Sequence, residues 1–150
     1  MEKNEVMMGY PPKKLSELLG LGISSMRGLD RRLYQADHSQ WYLPAEDEDG
    51  EEVCFVCLAG AVMARVFDPG GPDEPRYHDY EWEACFHALD EIRRGNLVRA
   101  AEQMKISADT IPDQLRHVYV LKREFEDWDD ADIFLGEMEI LRDELKKEGL

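Results

Sequence analysis

The chain has 150 residues, with 33 Asp and Glu against 18 Lys and Arg, a formal net charge of -15 and 43% hydrophobic residues. That apolar share excludes an acidic disordered tail, and the length suits one domain around one core. The charge argues against direct binding to nucleic acid or to anionic membranes, since both are repelled at long range.

Residues 1–12 read as a flexible N-terminal arm, with Pro11-Pro12 favouring an extended approach to a single helical domain over residues 13–150. The arm is charged and lacks a signal-like apolar core, and no stretch nears the roughly 18 uninterrupted apolar residues of a membrane span. Three cysteines make no disulfide framework, so a cytoplasmic location is expected. From Leu15 the apolar spacing is helical through Leu18 and Leu19. Gly20 and Gly22 weaken that helix, and Ser24 or Ser25 would cap a second piece carrying Met26, Leu29 and Leu33. Arg27, Arg31 and Arg32 lie off that stripe as a locally basic face.

Residues 37–52 read as loop, with Trp41-Tyr42-Leu43 as a short strand or an anchor. Glu46-Asp47-Glu48-Asp49-Gly50-Glu51-Glu52 is too charged to pack, and Asp49-Gly50 suggests the tip of a short hairpin over residues 41–54. Residues 53–67 are the most apolar stretch, with Arg65 as the one charge. Their length, alanines and lack of period-two alternation predict a buried central helix, with Gly60 and Ala61 admitting a neighbouring helix. Asp68-Pro69-Gly70-Gly71-Pro72 stops it. A helix from Tyr80 shows an inner face of Trp82, Cys85, Phe86, Leu89 and Ile92. Gly95 ends it and Asn96 caps the next, whose pattern is Leu97, Ala100, Ala101 and Met104. After a break at residues 107–112, Leu115, Val118, Tyr119 and Lys122 share a face. A last helix over residues 128–147 carries Phe134, Met138, Leu141 and Leu145, with acids early and lysines late, as the helix dipole favours. The expected fold is therefore all-α: five to six helices around the helix at residues 53–67.

Cys54 and Cys57 form a Cys-x-x-Cys pair, and Cys85 and His87 complete a possible tetrahedral zinc set. The spacing is right but the flanks are wrong, because Phe55, Val56 and Leu58 surround the pair and cysteine packs readily as a small hydrophobe. Core packing is preferred and no cofactor is expected. A redox dithiol is less favoured still, since six carboxylates lie just upstream and would raise a thiol pKa. The acidic runs do not follow the EF-hand order. No nucleophile elbow, metalloprotease pair or phosphate-cradling glycine loop occurs, and His38, His78, His87 and His117 stand apart. No catalytic residues are assigned.

An interaction role remains. Acids spread over several segments can imitate a polyanion and engage the basic groove of a nucleic-acid-binding protein. The surface so assigned comprises Glu46, Asp47, Glu48, Asp49, Glu51 and Glu52, then Asp73 and Glu74, then Asp127, Asp129, Asp130 and Asp132. Trp41, Tyr42 and Trp128 are either interface anchors or packing residues, and packing is favoured. The seam of the last helix would serve a homodimer or the core equally well.

The stretch from Asp49-Gly50-Glu51-Glu52 through Cys57-Leu58-Ala59-Gly60-Ala61, followed by Leu89-Asp90-Glu91-Ile92-Arg93-Arg94-Gly95, resembles segments of small uncharacterised bacteriophage and prophage proteins. The resemblance covers about the middle third of the chain and implies a viral accessory protein. Such a protein, acting in the host cytoplasm, would bind and inhibit a basic host protein, for example an enzyme of nucleic acids. The alternative is a small zinc-stabilised protein built on the Cys54, Cys57, Cys85 and His87 set.

Overall fold

The computed structural model describes residues 11–46, 48–67, 80–116 and 120–150. Helix α1 spans Leu15–Arg27, strands β1, β2 and β3 span Tyr34–Ala36, Tyr42–Glu46 and Glu52–Val56, and α2 spans Leu58–Phe67. Then follow α3 (Tyr80–Arg93), α4 (Leu97–Gln103), a 3-10 turn (Ala108–Thr110), the short α5 (Asp113–Arg116) and α6 (Trp128–Lys147). The fold is thus mixed, helix-dominated but with a three-stranded sheet in the order β1-β3-β2. The all-α expectation is corrected.

The error lies in residues 53–67. Val53-Cys54-Phe55-Val56 forms the central strand, pairing parallel with β1 and antiparallel with β2. Cys54 and Val56 are fully buried and Val53 is 9% exposed, so both faces of β3 are largely covered. A strand covered on both faces loses the period-two alternation that would have revealed it. The helix begins only at Leu58, where the chain turns alanine-rich. The hairpin expected around Asp49-Gly50 is present: Gly50 has φ of +79, a backbone conformation that glycine adopts without strain.

Helix α1 is continuous through Gly20 and Gly22, and it ends at Gly28 rather than carrying on toward Leu33, which is 41% exposed. It is buried nearly all round because α6 and α2 flank it and α3 also touches it. A side chain at Gly22 would meet Leu58 and Leu89 at 3.0–3.2 Å, so the glycine permits this close approach. The neighbour at Gly60 is not a helix. A Cβ there would overlap the Trp41 carbonyl oxygen, so α2 rests directly on the backbone entering β2.

Helices α3 and α4 form the expected tight pair. Gly95, with φ of +86, donates to the Ile92 carbonyl and Asn96 donates to that of Glu91, closing α3 with paired backbone bonds. Gly149 and Leu150 close α6 in the same way, and the Leu150 carbonyl accepts the Ser16 N–H, tying the end of α6 to the start of α1. The seam Phe134, Met138, Leu141 and Leu145 is buried within the chain. Pro11 and Pro12 are half-buried, and the Cys85 thiol donates to the Pro12 carbonyl at 3.8 Å. The stop predicted at residues 68–72, His78, and the Val118 and Tyr119 face lie outside the described residues. No described helix is long and apolar enough to cross a membrane.

Candidate functional site

The twelve acids assigned from sequence divide into groups with different employment. At the hairpin, β2 and β3 run in a register that sets Glu46 opposite Glu52, both exposed. Glu48, Asp49 and Glu51 complete the exposed tip around Gly50. Like charges directly opposite on antiparallel strands repel and destabilise the pair. Among the described residues, neither Glu46, Glu48 nor Glu52 has a basic partner. Strand β2 is one of the two edge strands of the sheet and carries Pro44, a residue that cannot donate to a further strand. Pro44 therefore disfavours the addition of a further strand at this edge. Asp47, Asp73 and Glu74 lie outside the described residues.

The acids around the start of α6 have internal duties. Asp127 is the N-cap, accepting the Asp130 N–H at 2.8 Å. Asp130 pairs with Lys122 at 3.3 Å. Asp132 accepts both terminal nitrogens of Arg31, at 2.7 and 3.0 Å, and the same guanidinium lies 4.3 Å over the Trp128 ring. Asp129 is exposed in the first turn, where the helix dipole favours it. Asp127, Asp130 and Asp132 thus each have a partner within the chain.

The basic face of Arg27, Arg31 and Arg32 is likewise neutralised. Arg27 donates to Glu139 and Arg32 donates twice to Asp30. These hydrogen bonds draw the carboxyls of Glu139 and Asp30 below their ordinary range and raise both guanidiniums. All four groups are near the surface, so these pairs add little stability individually.

The proposed zinc ligands are not brought together. Cys54 packs in a small cluster with Tyr34, Val56 and Ala64, while Cys57 and Cys85 belong to the main core. His87 stands half-exposed against Trp41, with ring centroids 4.8 Å apart, and faces Glu83 at 3.8 Å. Among the described residues no three potential ligands are grouped to hold a metal ion. Burial pushes the Cys57 thiol up to about 11, although the Gly60 and Ala59 N–H groups hydrogen-bond to it. Burial is the main cause of that rise, Asp90 adds to it, and none of the described carboxylates of the acidic run is among its causes.

The aromatic residues are packing residues. Trp41 sits edge-on to Phe86 and His87, and Trp128 donates its indole N–H to the Tyr34 carbonyl at 3.1 Å. Sequence reasoning missed one grouping entirely. The α3–α4 junction and the loop before α6 bring Arg93, Arg94 and Arg123 to one cleft with His38, and no local pattern joins residues so far apart in the chain. Comparison with protein families, with curated proteins and with solved structures finds no match to this chain.

Proposed function

We propose that this protein is a non-enzymatic acidic binding protein of the bacteriophage accessory type, which engages and inhibits a basic, nucleic-acid-binding host protein through the β2–β3 hairpin. The observation that carries this reading is the Glu46–Glu52 pair. Among the described residues the two carboxylates face each other with no basic partner, at an exposed tip that adds Glu48, Asp49 and Glu51. The α6 acids, by contrast, are matched by Arg31 and Lys122 or used as a cap. A basic groove laid over the hairpin relieves the repulsion, so the interaction is stronger in the complex than the free charges suggest. Steering by the net charge of -15 quickens the encounter.

The experiment is capture from a bacterial lysate by two baits, the native chain and a variant with Glu46, Glu48, Glu51 and Glu52 all changed to Gln. The native chain retains basic proteins at about 50 mM salt and releases them near 500 mM, where the Debye length shrinks to a few ångströms. The variant retains none of them at either concentration. Identical sets of proteins on both baits, or retention indifferent to salt, would sink the proposal.

A further inference from the structure

One cleft runs against the overall charge. It occupies about 420 Å3 between the end of α3, the α3–α4 turn, the segment after β1 and the loop before α6. Its lining is His38, Arg93, Arg94, Asn96, Arg123 and Glu124. Arg93 is only 6% exposed. Its Nη1 donates to the Arg123 carbonyl at 2.6 Å, while its Nε is buried without a hydrogen-bond partner and stands 3.5 Å from Asp90. Asp90 also pairs with Arg94, at 3.2 Å. One carboxylate thus serves two guanidiniums. The Arg123 side chain has no partner of its own among the described residues. Asn96 stands at the N-cap of α4, yet its side chain caps nothing and lines the cleft instead. Glu124 faces His38 Nε2 at 3.8 Å, and His38 is fixed from behind by Phe125.

A buried guanidinium with half a share of one carboxylate is poorly compensated. Guanidiniums recognise oxyanions as forks, and three of them offer more donors than the two oxygens of a carboxylate can accept. We propose that this cleft binds a phosphoryl dianion, either free phosphate or a phosphomonoester. Arg123 and Arg94 hold the oxygens, the Asn96 amide donates to one, and Arg93 supplies the buried charge beneath. This site is independent of the acidic hairpin and stands whether or not that surface binds a protein.

The test titrates inorganic phosphate and phenyl phosphate into the full chain at constant ionic strength, with acetate as the comparison. Calorimetry gives the affinities, and proton–nitrogen spectra follow the arginine Nε–H groups. Phosphate is expected to shift the Arg93 and Arg123 resonances. Arg123→Gln, which keeps the carbonyl that holds Arg93, weakens binding at least about tenfold. Arg99→Gln, on α4 outside the cleft lining, leaves it unchanged. Binding of either phosphate supports the proposal: inorganic phosphate alone assigns the free ion, phenyl phosphate alone an ester. Acetate binding as tightly as phosphate, no response at about 20 mM phosphate, or full affinity in Arg123→Gln would overturn it.

Discussion

Gly60 and Gly136 are both helical glycines, and their surroundings give them opposite roles. A Cβ at Gly60 would overlap the Trp41 carbonyl, which is backbone and cannot rotate away. A Cβ at Gly136 meets nothing within 4 Å. Gly60→Ala should therefore cost at least about 3 kcal/mol, the upper range for overpacking. Gly136→Ala should instead stabilise by about 0.5–1 kcal/mol, through lost unfolded-state freedom and better helix propensity. Urea denaturation of both variants checks the pair; equal effects would contradict the packing of α2 on the chain entering β2. The thiols give a second residue-scale test. Cys54, Cys57 and Cys85 are buried, and the Cys57 thiol is pushed up to about 11. A thiol reagent at about pH 8 should label none of them in the folded chain and all of them in urea, because the thiolate is the nucleophile. Stoichiometric labelling of the native protein would contradict their burial.

The elements show where the sequence was legible. The α6 helix was readable from end to end, since its seam, its early acids and its late lysines all agree with one helical frame. The same holds for α3 and its Gly95 stop. The strand β3 was not, because Val53-Cys54-Phe55-Val56 is covered on both faces and runs into α2 with only Cys57 between. The β-branched and aromatic character of those four residues, against the alanines after Leu58, was the available signal. The three-residue β1 has no local signal at all; it exists because β3 offers it a partner. Of the candidate site, the hairpin tip was legible from Asp49-Gly50. The neutralisation of Asp130 and Asp132 was not, because Lys122 and Arg31 reach them through the tertiary fold. The α1–α6 contact yields a pH prediction. Arg27 holds the Glu139 carboxyl below its ordinary value, so this contribution is present above the unfolded value of about 4.5 and is lost as pH falls through the depressed folded one. Glu139→Gln should lower stability at about pH 7 and lower it by less at about pH 3. An equal deficit at both, in urea denaturation, would argue against the pair.

For the whole molecule, the charge of -15 is not evenly held. Arg31, in the segment after α1, and Lys122, in the loop before α6, pair with Asp132 and Asp130 of α6, whereas among the described residues Glu46, Glu48 and Glu52 of the hairpin have no basic partner. If that arrangement serves binding, the hairpin is kept less stable than it need be. Glu52→Lys replaces a like-charge pair by an opposite one and should stabilise the chain by up to about 1 kcal/mol at low salt. It should also weaken the partner. Greater stability with undiminished binding would instead assign the acids to guarding the β2 edge. The most direct measurement is the dissociation constant of a captured basic partner at about 50 mM and about 200 mM salt, for the native chain and for the variant with all four hairpin glutamates changed to Gln. The native affinity should fall at least about tenfold across that range, and the variant should bind weakly with a shallow salt response. Equal affinities and equal salt slopes for the two chains would contradict the account.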